Sequence, residues 1–204
     1  MKKLFAMLLC GATYLTASSQ EKGDFELGIN SGLNLATVTS GSNTNTEYRT
    51  GVNVTVSGDY FFSDRWSIKA KAAYDQKGWN NGYISFDNGE AVPTNYQFDY
   101  LTVPVMANWH FGKTRNWYLN FGPYAGFLLS SKETAMGTDL KEISQSVDAG
   151  LALGIGVKIP VGSRVKILLE TDGQAGLTDV FKDNQGNKIQ NSRSSLNVGL
   201  VFGL

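Results

Sequence analysis

Eight stretches of this chain place a large apolar residue at every second position, with polar or small residues between. That period-two alternation constrains the fold more than any other feature. The first stretch is DFELGINSGLNLATV, Asp24 to Val38, where Phe25, Leu27, Ile29, Leu33 and Leu35 share one face and Glu26, Asn30 and Asn34 the other. It reads as a strand with one apolar and one polar side. Alternation does not say which side meets water. A soluble barrel would turn the apolar face inward around a ligand, whereas a membrane barrel would turn it outward into lipid.

The opening MKKLFAMLLCGATYLTASS bears on that choice. Lys2 and Lys3 precede an apolar run from Leu4 to about Leu15, and small residues Ala17 and Ser19 stand before Gln20. Residues 1–19 read as a cleaved secretory signal peptide, leaving 20–204 as one domain. The apolar run is too short for a membrane-spanning helix, which needs about 20 residues, and no later segment reaches that length. A mature chain that spans a membrane must do so with strands. The only cysteine, Cys10, is removed with the signal, so no disulfide is available. Without Lys2 and Lys3 the 18 basic residues become 16 against 18 acidic ones, with no basic block, which argues against a nucleic-acid partner.

The remaining stretches repeat the pattern. Val52, Val54, Val56, Tyr60 and Phe62 form the second apolar face, and Trp66, Ile68, Ala70, Ala72 and Tyr74 the third, opposite Lys69, Lys71, Asp75 and Lys77. Leu101 to Phe111, Trp117 to Leu129 and Val147 to Ile159 give the fourth to sixth. Val165 to Thr178 is less regular, and Leu196, Val198, Leu200 and Phe202 close the series. The connections alternate long and short: about 12 residues from Thr37, then SDR, about 19 from Trp79, GKTRN, TAMGTDLKEIS, GSR and DVFKDNQGNKIQ. Long external loops and short periplasmic turns mark an outer-membrane barrel. The aromatics Phe25, Tyr60, Phe62, Trp66, Trp109, Phe111, Trp117 and Phe202 gather beside the short turns on the apolar face. Such a girdle belongs at a membrane interface, so the apolar face is assigned to lipid. The expected fold is all-β: an eight-stranded antiparallel up-and-down transmembrane barrel, reaching the bacterial outer membrane through export.

The segments GINSGLNLATV, YLTVPVMANWHFG, FGPYAGFLLSSK, VDAGLALGIGVKI and TDGQAGLTDV together resemble the PorT-like outer-membrane β-barrel (porin-type) family of Bacteroidetes-type bacteria. The resemblance covers nearly the whole mature chain, although the ending FGL departs from the family's usual terminal aromatic. It implies an eight-stranded outer-membrane barrel. Members are mostly of unknown function, with one branch linked to protein secretion.

Turn length sets register, since paired residues share a face. Pairing Phe62 with Trp66 across Ser63 to Arg65 puts Asp59 opposite Lys69 and Ser57 opposite Lys71, all inward; pairing Phe111 with Trp117 puts His110 opposite Tyr118. The expected interior charge network is Glu26, Asp59, Lys69, Lys71, Asp75, Asp148, Lys158, Glu170 and Asp172. An eight-stranded barrel is just wide enough for side chains to fill it, and buried charges there must pair. The structural reading of this cluster outweighs that of an ion or proton pathway.

Catalysis finds no constellation. His110 is the single histidine and has no cysteine partner, so a hydrogen-bonded core residue is expected. Glu170 and Asp172 lie two apart on one face, within reach of lysines. DNQGN from Asp183 lacks the spacing of a calcium loop and reads as a turn. Gly150, Gly154 and Gly156 fall on inward parity, where they make room for bulky neighbours. Pro104 and Pro123 lie within strands, so each should mark a bulge or a missing ladder bond. Neither an enzyme, a cofactor nor a metal is expected.

The expected partner is outer-membrane lipid. The longest external segment, Trp79 to Gln97, reads as a hairpin around a DNG turn, for which a solvated strand extension is the leading reading and a protein partner bound by strand addition the alternative. The first loop, TSGSNTNTEY, is rich in Ser, Thr and Asn. The leading functional reading is a structural or surface-interaction barrel, with a narrow channel or a secretion accessory as alternatives.

Overall fold

A computed structural model describes residues 20–40, 46–85, 89–184 and 186–204. The stretch 1–19 that reads as a signal peptide, the middle of the first loop and the Asp87–Asn88 pair of the DNG turn lie outside these residues. Eight strands follow one another: β1 (Phe25–Ser40), β2 (Glu47–Phe61), β3 (Trp66–Ser85), β4 (Ala91–Phe111), β5 (Trp117–Glu133), β6 (Val147–Pro160), β7 (Val165–Gly176) and β8 (Ile189–Gly203). Each pairs antiparallel with the next, and β1 pairs with β8 from Glu26↔Gly203 to Ser40↔Ile189, closing the barrel. Closure leaves no free strand edge within the wall, as a lipid environment requires.

Alternation decides the faces. Along β1, Leu27, Ile29, Leu33 and Leu35 are exposed while Glu26, Asn30 and Asn34 are buried, so the apolar face is the outer one. The short turns carry the registers that their lengths dictate: Phe62 N–H donates to the Trp66 carbonyl, Asp59 stands opposite Lys69 and Ser57 opposite Lys71. Phe111 likewise stands opposite Trp117, and His110 opposite Tyr118.

The external connections differ from the spacing in sequence. β3 and β4 continue pairing through Gly82↔Thr94, Tyr83↔Pro93 and Ile84↔Val92, so only 86–90 connects them. Hydrogen-bonded pairing continues past the point where lipid-facing apolar residues stop, and parity in the sequence follows only the latter.

The prolines mark a gap without a bulge. Pro104 pairs with Tyr124 and the same register resumes at Ala107↔Phe121, with the ladder interrupted where Val105 and Met106 face Pro123 and Gly122. Two residues lacking an N–H flank one gap, which costs bonds but leaves the register unchanged. The β4–β5 bulge lies higher, where Asp99↔Ser130 is followed by Tyr100↔Leu128 and Leu129 is the extra residue.

Three glycines of β6 face large partners directly across the ladder. Gly156 opposes Tyr118, Gly154 opposes Asn120 and Gly150 opposes Tyr124. A β-carbon on Gly156 would lie 2.4 Å from Tyr118 Oη and 2.8 Å from the Leu169 carbonyl oxygen. Gly156→Leu should therefore cost about 1–3 kcal/mol through overpacking. In the turn, a β-carbon on Gly162 meets only Val165 Cβ at 4.0 Å, so Gly162→Ala should be nearly neutral. Urea unfolding in lipid vesicles checks the contrast, and equal costs would count against a filled lumen.

Candidate functional site

The lumen is the candidate site, built from inward residues of all eight strands. Near the short turns, Lys158 of β6 lies 2.5 Å from Glu26 Oε2 of β1 and 2.8 Å from Asp59 Oδ2 of β2. Lys166 reaches Glu26 Oε1 at 2.6 Å. Lys69 is 3.8 Å from Asp59. At mid-height Lys71 joins Glu170 and Asp172, and Glu170 Oε2 also accepts from Tyr118 Oη at 2.7 Å and Asn120 Nδ2 at 3.0 Å. Arg193 of β8 pairs with Asp172 and, at 3.1 Å, with Asp75 of β3. Higher still, Lys77 holds Asp148 at 2.8 Å and sits 4.5 Å from the Tyr124 ring centroid, a cation–π contact.

Every residue of the sequence-derived network therefore lies in the lumen within one chain of contacts, except Asp148, whose cation is Lys77. Three cations are additional: Lys77, Lys166 and Arg193. Parity alone sets Lys77 on the inner face with Lys69 and Lys71, and it points Arg193 inward too, on the face opposite Leu196 and Val198. Below the mouth the count balances. Six carboxylates (Glu26, Asp59, Asp75, Asp148, Glu170, Asp172) meet six cations (Lys69, Lys71, Lys77, Lys158, Lys166, Arg193). Most pairs span the lumen between strands that are not neighbours, tying β1 to β6 and β7, and β3 to β6, β7 and β8.

An aromatic cluster lies inside the barrel at the end away from the short turns. Trp79 stacks on Tyr96 at 4.5 Å and on Phe98 at 5.5 Å between centroids, with Tyr100 beneath. Phe181, from the β7–β8 connection, packs edge-on against Trp79, Tyr96 and Phe98. Sequence parity missed this cluster because the inward face of β4 is itself apolar there.

The β5–β6 connection is held at the rim. Glu133, past the last lipid-facing residue of β5, accepts from the amides of Thr138 (2.7 Å), Ala135 (2.7 Å) and Met136 (3.0 Å) and from the Thr94 hydroxyl (2.8 Å). The Thr138 amide foremost, helped by Thr94 and Met136, holds its pKa down at about 2 against the opposing effect of burial. A carboxyl lowered on folding contributes stability above its ordinary value, 4.5, and loses it as pH falls toward 2. The Thr138 amide resonance should accordingly titrate with a midpoint near 2. A midpoint near 4.5 would mean that the amides do not hold the carboxylate.

Of the girdle residues, Phe25, Tyr60, Phe62, Trp66, Trp109, Trp117 and Phe202 are exposed on the outer wall and Phe111 is half-buried. Trp109 stacks on Phe111 at 5.1 Å and Phe111 on Trp117 at 6.5 Å. His110 is buried, its Nε2 3.0 Å from Asn108 Nδ2 and 3.1 Å from Ser67 Oγ, with the Phe61 ring 4.7 Å away. Among the described residues no group of His, Cys, Asp and Glu has the arrangement of a metal site. In the DNQGN segment, Asn184 binds Asp179 and the Asn187 carbonyl, as in a turn.

The profile of the family described as outer membrane protein beta-barrel domain matches residues 17–182, and the chain belongs to that family. The fold is similar to that of OprG from Pseudomonas aeruginosa, with TM-score 0.60, 12% identity and coverage of 91% of this chain and 98% of that one. It is also similar to outer membrane protein W of E. coli (0.52, 14%, 91% and 100%) and to Neisserial surface protein A (0.52, 15%, 87% and 96%). No curated protein matches. The protein is thus a small β-barrel of the bacterial outer membrane.

Proposed function

We propose that this protein is a closed barrel with a structural or surface-interaction role rather than a channel. The observation that carries this reading is the lumen itself, filled by balanced, cross-linked charges and capped by the Trp79 cluster. An ion entering would have to displace a buried pair, leaving an uncompensated charge in a low-dielectric space. The girdle anchors the periplasmic end in the interface. The barrel is of the PorT-like kind that its segments resemble, and a signal peptide ending at Ser19 is its route of export. Secretion accessory is a role compatible with a barrel that does not itself conduct.

Outside the membrane, the β3–β4 hairpin offers the contact surface. Tyr83 and Val92 are exposed on it, and Tyr96 Oη donates to the Tyr83 carbonyl at 2.9 Å, stiffening its base. Purified protein in planar bilayers should give no sustained unitary currents. Steady currents would overturn the closed reading in favour of a narrow channel.

A further inference from the structure

Lys69 is buried and stands directly across the ladder from Asp59, yet it makes no direct hydrogen bond among the described residues. Its Nζ is 3.8 Å from Asp59 Oδ2 and 3.9 Å from Glu170 Oε2, beyond the range of an N–H···O bond. Both oxygens are already occupied. Asp59 Oδ2 takes Lys158 at 2.8 Å and Asn108 at 2.9 Å; Glu170 Oε2 takes Tyr118 and Asn120. Asp59 Oδ1, by contrast, is buried with no hydrogen-bond partner among the described residues. Beside these groups lies a cavity of about 10 Å³, lined by Asp59, Lys69, Glu170, Lys158 and Ser57.

A second cavity of about 10 Å³ is lined by Gln174, Arg193, Asn53, Thr55 and Asp172. Two of its residues carry unpartnered buried atoms of opposite kind: Arg193 Nε, a donor, and Gln174 Oε1, an acceptor. The relative exposures of Lys69, Asp59, Arg193 and Gln174 are 3%, 2%, 4% and 7%, so bulk water does not serve them.

We propose, on the closed-lumen reading above, that the barrel holds two separate single-water sites, one bridging Lys69 to Asp59 and the other joining Arg193 to Gln174. Each cavity has the space of one water and the polar lining that a bound water needs. In the first, water accepts from the Lys69 ammonium and donates to Asp59 Oδ1, turning a long ion pair into a water-mediated one. In the second, one water accepts from Arg193 Nε–H and donates to Gln174 Oε1. Water fits better than an ion, because six carboxylates already balance six cations and an added charge would stand uncompensated. Lys71 lines both cavities and is itself bound to Glu170 and Asp172, so it separates the two sites.

Water-to-protein NOE spectra of the labelled protein in lipid nanodiscs test this. Long-lived water should give cross-peaks at the Lys69 ammonium and at Arg193 Nε–H, and none at Lys77 or the Tyr100 and Tyr124 hydroxyls. In Gln174→Met the Arg193 cross-peak should vanish while that of Lys69 persists. Absence of both cross-peaks in the unmodified protein would overturn the water sites and leave the closed barrel standing. Cross-peaks continuing through Lys77 and Tyr124 would reveal a water column, overturning the isolated sites and the closed reading together. An Arg193 cross-peak unchanged in Gln174→Met would remove the second site.

Discussion

Lys158→Met should destabilise the barrel by about 3–5 kcal/mol, because it takes the nearest cation from Asp59, which keeps only Asn108 and the more distant Lys69, and leaves Glu26 with Lys166 alone. Lys158 is fully enclosed and makes the short contacts to both Glu26 and Asp59, at 2.5 and 2.8 Å. Lys69→Met should cost clearly less, since Lys69 stands 3.8 Å from Asp59 and Lys158 would still satisfy that carboxylate. A double-mutant cycle of Lys158→Met with Asp59→Asn should show strong coupling, the pair costing less than the sum of the singles. The measurement is urea unfolding in lipid vesicles. A ranking with Lys69 above Lys158 would contradict the cross-lumen network.

Leu153→Arg should cost about 2–4 kcal/mol, the penalty for a cation on the lipid face of a transmembrane barrel near mid-depth. Leu153 is exposed on the outer wall between Phe121 of β5 and Gly173 of β7. Ile143, equally exposed but in the β5–β6 connection, should accept arginine at little cost. Comparable small effects at both positions would mean that the apolar face of β6 does not lie in lipid.

The strands, their inner and outer faces and the local registers are legible in the sequence because they rest on two short-range rules: alternation along a strand, and turn length between neighbours. Asp59 opposite Lys69 follows from the three residues of the intervening turn alone. The cation that actually touches Asp59, Lys158, does not, because that contact crosses the lumen between β2 and β6 and exists only once the barrel has closed. Arg193 with Asp75 is the same case. The aromatic mouth is hidden for another reason. Phe98 and Tyr100 fall on the inward parity of β4, where the rest of the barrel is polar, and Phe181 arrives from a connection with no periodicity. Pro104 and Pro123 each suggest a bulge or a missing ladder bond, and because Pro123 faces Val105, the residue after Pro104, they share one gap in the ladder.

The orientation of the wall carries everything else, and strand β6 tests it most directly. In nanodiscs with protonated lipid acyl chains and an otherwise deuterated protein, methyl NOEs should connect the acyl chains to Leu151, Leu153 and Ile155. The methyl of Ala152, buried against Met106 and Tyr124, should show none. Lipid contacts at Ala152 with silence at Leu151 and Leu153 would reverse the two faces and contradict the barrel described above.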